Sequence, residues 1–416
     1  MAFGSFVGFR NYVNKTFGLE EGLGALTDGR VDPTVPLLPV MLTWLWGMMR
    51  RLQSTEQVGH LFNDPRWRKL LGMRSEDGGS PDTLARVLDE LSIEELSEFL
   101  LRVFFHARRA GILKDDGPFG KRCAIVDLNE LFTSEKVHCK KCQTREKKVA
   151  GPNGQVHLVT EYFHQAVALV WASGDVAWPI SWELLEPGEG ELTAALRLLE
   201  RLLPRLRGSL DLVMGDALYC CRPFFATVAD AGVDALAIAS GNTDLDTDMD
   251  YYRANEPARR ALGQEVDLWE MESTAWEKEL KRKLRVLHYE RAYEAPAWKH
   301  ERKRLRVVTT ASVAVVPAGQ GWRIGRCRWA IENGAFNLLT RDYSLTHNYR
   351  HSPAAITALL VLRSIAYCAT WAYRRFATSR AKSAPKTFIE WFQAVLVEDW
   401  FRYLEGGPSH AVPWSG

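Results

Sequence analysis

Two short apolar runs deliver the chain into an aspartate. Cys123-Ala124-Ile125-Val126 leads to Asp127, and Leu212-Val213-Met214-Gly215 leads to Asp216. Runs of this kind read as strands buried on both faces. Around them lie the β-rich stretches His157–Trp171 and Val176–Trp182, an amphipathic helix over Glu191–Leu206, a helix over Phe224–Ala231 and a short strand over Ala235–Ala239. Strands and helices in this order predict a mixed α/β sheet. An apolar strand ending in a carboxylate sets that carboxylate at the sheet's carboxyl edge, where open α/β sheets carry out their chemistry. Taken singly, either aspartate also reads as an ordinary cap at a strand end.

The flanks differ in texture. Residues 1–118 read as a helical region, with apolar residues at helical spacing in Leu37–Leu52 and Ile93–Arg109. Ser80-Pro81-Asp82-Thr83 is a helix start, and Asp115–Pro118 is a turn and a boundary. The expected division is 119–240 for the first part of the core, 241–313 for an insertion with returning strands, 314–380 for the rest of the core, and 381–416 for a C-terminal helix serving dimerisation. Within these, 241–283 is acidic and carries Trp269 and Trp276. Strands are expected over Leu284–Tyr293 and Leu305–Val316, and helices over Gly321–Arg341, Ala354–Tyr373 and Thr387–Leu404.

Ala354–Tyr373 is long enough to cross a membrane, but Arg363 sits in its middle, so it reads as a buried helix. The opening residues do not resemble a secretory signal, and seven cysteines are too few for a disulfide scaffold. The expectation is a cytoplasmic, nucleoid-associated protein without a membrane partner. Overall charge is uninformative, with 53 Lys plus Arg against 51 Asp plus Glu. From Lys299 to Lys382, however, only Glu301, Glu332 and Asp342 oppose 15 basic residues. That imbalance suggests a polyanion partner, or else internal pairing with the acidic 241–283 stretch.

A third acid, Glu332, lies on the helical segment Arg328-Trp329-Ala330-Ile331-Glu332-Asn333, beside an apolar stripe where an unpaired carboxylate is costly. Three carboxylates on two strands and a helix suit two Mg²⁺ (or Mn²⁺) ions, which keep open positions for phosphate oxygens and assist phosphodiester cleavage.

Asp127, Asp216 and the string RWAIENGAFNLLTRDYSLTHNY together resemble the DDE transposases of bacterial insertion sequences, specifically the group with a Y-R-E-K signature on the Glu helix. The resemblance runs from about Arg122 to Tyr349. It implies an RNase H-like core with a helical N-terminal domain and an insertion between the second Asp and the Glu. It also implies Mg²⁺ ligation by Asp127, Asp216 and Glu332, and cleavage and transfer of double-stranded DNA at terminal inverted repeats by a homodimer on DNA. Arg328 takes the place of the signature Arg that contacts phosphate. The signature Tyr position holds Gly325, the Lys position falls on Leu339 or Thr340 with Arg341 next, and Leu128 follows the first Asp. The insertion's Trp298 and its basic neighbours Arg302, Lys303 and Arg304 are candidates for DNA contact, Trp298 by stacking on an unpaired base. The N-terminal helices, with Arg86 and Arg66-Trp67-Arg68-Lys69, take the place of an end-binding domain. Two alternatives stay open: a transposase-derived DNA-binding protein that no longer transposes, and an RNase H-like nuclease.

His138-Cys139-Lys140-Lys141-Cys142 contains a Cys-x2-Cys step, which in a reducing compartment points to metal before disulfide. With His164 on the following strand, Cys139, Cys142, His138 and His164 form a candidate structural zinc site; a subset of similar transposases has a comparable pattern. Free thiols in a basic loop are the alternative. Cys220-Cys221 reads as packing.

Overall fold

A computed structural model describes residues 5–74, 78–115, 117, 120–150, 155–173, 176–239, 244–261, 266–292, 302–323, 331–380 and 397–406. The N-terminal part folds into helices α1 (Phe6–Phe17), α2 (Leu19–Gly24), α3 (Leu37–Met49), α4 (Thr55–Asn63), α5 (Pro65–Leu70), α6 (Pro81–Glu90) and α7 (Ile93–Arg109). Short polar residues start several of them. The Ser80 hydroxyl accepts the Thr83 N–H at 3.1 Å, and Ser54, Asp64 and Ser92 cap α4, α5 and α7 in the same way.

The core sheet contains β1 (Cys123–Ser134), β2 (Gln143–Ala150), β3 (Val156–Ser173), β4 (Val176–Leu184), β5 (Leu212–Gly215) and β6 (Asp234–Ala239). β1 lies antiparallel to β3, and β3 antiparallel to β4. On its other edge β1 runs parallel to β5, and β5 parallel to β6. Three antiparallel strands followed by two parallel ones, in the order β4-β3-β1-β5-β6, is an RNase H-like arrangement. Helices α8 (Glu191–Leu202) and α9 (Arg222–Asp230) make the crossovers into β5 and β6. β3 is long enough to pair with β4 through one half and β2 through the other.

The end of β1 differs from expectation. β1 does not end at Asp127 but continues to Ser134, because β3 pairs with it along its whole length, with one irregularity between Glu130 and Phe132. β2 was not legible in its sequence. Its residues, Gln-Thr-Arg-Glu-Lys-Lys-Val-Ala, are mostly exposed on both faces and show no apolar alternation.

The insertion folds as α10 (Asp244–Asn255), β7 (Arg259–Ala261), β8 (Val266–Ser273), α11 (Glu277–Leu280), β9 (Leu284–Ala292) and β10 (Arg302–Thr309). β10 pairs antiparallel with β6, from Arg306↔Ala239 to Thr309↔Leu236, so the insertion extends the core sheet to ten strands. The expected strand over Leu305–Val316 stops at Thr309. The chain then turns through Ser312–Val316, where the Val315 and Val316 N–H groups bond to the Ser312 carbonyl.

The chain then enters a π-helical turn, Ile331–Phe336, followed by α12 (Asn337–Tyr343), α13 (Pro353–Arg380) and α14 (Trp400–Leu404). The expected helix Gly321–Arg341 is thus π-helical around Glu332; 324–330 lies outside the described residues, as does 387–396 of the expected last helix. α13 is long and apolar enough to cross a membrane, yet 83% of its apolar window is buried within the protein. It packs against α3, α6 and α7 and also against β4, so one apolar helix joins the N-terminal helices to the sheet. Its Arg363 is buried and donates to the carbonyls of Tyr343 (3.1 Å), Leu345 (3.3 Å) and His347 (2.7 Å). α14 also returns to the N-terminal helices, stacking Trp400 on Phe6 at 5.0 Å.

Much of the basic C-terminal charge is answered internally. Arg306 pairs with Asp246 and Asp250 of α10, Arg304 with Glu290, and Arg350 with Asp89.

Candidate active site and thiol–imidazole cluster

The two strand-borne aspartates stand at one level. The parallel register pairs Cys123 with Leu212, Ala124 with Val213 and Ile125 with Met214. Continued two residues, the same register sets Asp127 beside Asp216. Asp127 is 8% exposed. One of its oxygens accepts the N–H of Leu128 at 3.0 Å, and one oxygen of Asp216 accepts the N–H of Leu218 at 2.8 Å. The second bond closes the turn Ala217–Tyr219.

That turn explains the glycine before Asp216. A Cβ on Gly215 would lie 2.6 Å from both Cβ and Cγ of Tyr219. Tyr219 is fully buried, and its hydroxyl donates to Glu191 Oε1 at 2.8 Å. Burial pushes this phenol far up, and the negative charges of Glu191, Asp127 and Asp216 add to the shift. A fourth carboxylate, Glu191 in the first turn of α8, therefore belongs to the same electrostatic neighbourhood. Sequence reasoning missed Glu191 and Tyr219. Their signals were an acid opening a helix after Gly-Glu-Gly, and an aromatic residue three positions beyond Asp216.

The π-turn carrying Glu332 packs against β1, β3 and β4. Gly334 permits its approach, since a Cβ there would sit 3.1 Å from that of Ala177, and Phe336 stacks on Trp182 at 5.8 Å. The Glu332 backbone thereby comes to the β1 side of the sheet; its side chain lies outside the described residues. π-Turns concentrate at functional sites.

Arg328 and Trp298 lie outside the described residues, as do the side chains of Arg302 and Lys303 on β10. Arg304 is exposed, with Nε 3.3 Å from Glu290. Arg341 is exposed but holds buried Asp342 at 2.8 Å, an acid that Arg51 also reaches at 2.6 Å. Leu339 is fully buried, so one of the two positions matching the signature Lys serves packing. Trp67 is buried too, donating to Thr43 at 2.9 Å, while Arg86 pairs with Asp82 on its own helix.

Among the described residues, one group of potential metal ligands is drawn tightly together: Cys139, Cys142, His164 and His351, with ligand atoms all within 4.8 Å of one another. His164 Nε2 lies 3.4 Å from Cys139 Sγ and 3.3 Å from Cys142 Sγ. His351 Nε2 lies 3.2 Å from Cys142 Sγ. Burial, with His351 adding, holds the His164 imidazole neutral down to about 4, and the neutral ring is the form that binds metals. His138 stands outside this group: it is exposed and stacks on Tyr162 at 4.6 Å. His351, which arrives from the segment before α13, stands in the group instead.

The family model described as "Transposase DDE domain" matches residues 186–369. This span contains Glu191, Asp216, Glu332 and His351 and begins after Asp127. No curated protein matches the chain. Among solved structures, the cryo-EM structure of a piggyBac transposase synaptic complex with hairpin DNA is similar at 12% identity, over 98% of this chain and 87% of that chain, with a TM-score of 0.45.

Proposed function

Because residues 186–369 match a family model described as "Transposase DDE domain", we propose that the chain is a DDE transposase that binds the ends of a mobile DNA element and cleaves and transfers their strands. The observation that carries this reading is the shared level of Asp127 and Asp216 on neighbouring parallel strands, with Glu191 nearby and the Glu332 turn packed on β1 and the strands beside it. Like charges gathered around a buried phenol favour a bound cation. In this reading Asp127, Asp216 and Glu332 hold divalent ions, Mg²⁺ or Mn²⁺, which supply the activation of a water and the neutralisation of a leaving oxygen.

The chain's own residues set the geometry. The Leu128 and Leu218 N–H groups orient the two aspartates, and Gly215 lets the turn after Asp216 close on Tyr219. Tyr219 in turn fixes Glu191 at the rim. Phosphoryl transfer needs little beyond such positioning. The DNA partner, its terminal repeats and action as a homodimer on DNA belong to the same proposal. Arg341 and Arg304 remain candidate phosphate contacts on the exposed side.

The test is a cleavage assay on labelled duplex carrying the gene's flanking ends, with Mg²⁺ or Mn²⁺ and an Asp216→Ala control. Cutting at the end junction by the wild type alone supports the proposal. Binding without cutting by the wild type would overturn it in favour of a derived DNA-binding protein.

A further inference from the structure

The thiol–imidazole cluster has the dimensions of a tetrahedral zinc site. Zinc bond lengths place two sulfur ligands about 3.8 Å apart and a sulfur and a nitrogen about 3.6 Å apart. Here Cys139 Sγ and Cys142 Sγ are 3.8 Å apart, and the sulfur–nitrogen separations from His164 to both sulfurs and from His351 to Cys142 run from 3.2 to 3.4 Å. The two cysteines share a tight turn in which the Cys142 N–H donates to the Cys139 carbonyl at 3.2 Å and the Cys139 N–H points at the Cys142 sulfur at 3.2 Å. His164 is fully buried, and the partners of its Nε2 are the two sulfurs, which are weak acceptors. His351 is oriented from behind, its Nδ1 lying 3.2 Å from the Asn348 amide nitrogen. Metal-bound imidazoles ordinarily donate their outer N–H to an acceptor, a role the Asn348 amide fills once it is turned so that its oxygen, unpartnered as placed, faces Nδ1.

The ligands come from distant parts of the chain. Cys142 and His351 are 209 residues apart in sequence. Cys139 and Cys142 sit between β1 and β2, His164 sits on β3, and His351 ends the segment between α12 and α13. The other end of that segment is held by Arg363 through the carbonyls of Tyr343, Leu345 and His347.

We propose that Cys139, Cys142, His164 and His351 bind one Zn²⁺, and that the ion staples the segment 344–352, which follows the Glu332 turn, to the β1–β3 arm of the sheet. Zinc here does structural work: with four protein ligands it has no open position for a substrate. The proposal does not depend on the chain being an active transposase, because metal content and local backbone protection report on it directly.

The test uses the full-length protein. Elemental analysis of the wild type is expected to give one zinc per chain, and cobalt substitution the intense visible absorption of a tetrahedral thiolate–imidazole site. His351→Ala should lose the stoichiometric metal. His138→Ala should keep it. His351→Cys should restore it, with stronger sulfur-to-cobalt charge transfer. Hydrogen exchange on the wild type, before and after chelation, covers the case in which His351→Ala fails to fold: removing the metal should raise exchange both at 136–143 and at 344–352. Full zinc with an unchanged cobalt spectrum in His351→Ala would overturn the assignment of His351. Unchanged exchange at 344–352 after chelation would overturn the staple.

Discussion

Asp127 and Asp216 lie level with each other, two residues beyond Ile125↔Met214, the last pair of the β1–β5 ladder. Their carboxylates gather charge where the two strands part, and without a cation that gathering opposes folding. Replacing either by Asn should therefore abolish metal-dependent cleavage, by about 10³-fold or more, while leaving the melting temperature of metal-free protein unchanged or slightly higher. Gel assays and calorimetry on the same two variants check both halves. A variant that still cuts at wild-type rate would remove its residue from the site.

Gly215 tests the support behind Asp216. A methyl group there collides with Tyr219, so Gly215→Ala should cost about 1–3 kcal/mol, as overpacking does. It should also displace the turn that Asp216 caps. Denaturant unfolding measures the first effect, and cleavage by the fraction still folded measures the second.

Arg363 supplies donors to three carbonyls from inside an apolar helix. Arg363→Met preserves apolar bulk but leaves those acceptors unpaired, at an expected cost of about 1–3 kcal/mol for each carbonyl that finds no other donor. Arg363→Lys keeps the charge without the planar fork and should recover part of the loss. Equilibrium unfolding of the three proteins orders them; an equal stability for Met and wild type would refute the role.

His288 gives a dependence on pH. Burial first, with Arg253 and Arg306 adding, pushes its imidazole down to about 4, against the opposing pull of Glu290. Arg306 Nε donates to its Nδ1 at 3.2 Å, which fits a neutral ring. The unfolded chain takes up this proton near the ordinary value of about 6.5. Stability attributable to His288 is thus intact above about 6.5 and drains away as pH falls towards 4. His288→Gln should flatten that part of the melting-temperature profile relative to wild type.

How much of this was legible in the sequence depended on the kind of signal. β1, β5 and β6 announced themselves through apolar runs, β3 and β4 through β-rich stretches, α6 through its serine cap and α7 through apolar residues at helical spacing. β2 did not, because a strand exposed on both faces has no pattern to show. The level pairing of Asp127 with Asp216 required the register, which no single strand encodes. Cys139, Cys142 and His164 were visible as a local cluster. His351 was not, since only the fold carries the segment before α13 back to the first hairpin. The basic excess after Lys299 left two readings open, and for Arg306 and Arg304 the internal one holds, since they face acids of the insertion.

The unbroken ladder from β2 to β7 has a mechanical meaning. Eight residue pairs join β9 to β10, and four more join β10 to β6. At about 1 kcal/mol for each net hydrogen bond, hinging the insertion away from the aspartates would cost several kcal/mol at any seam. Insertion and core strands are therefore joined as one stiff plate, and alignment of a long ligand with Asp127 and Asp216 would draw on the ligand's own bending more than on hinging within the sheet.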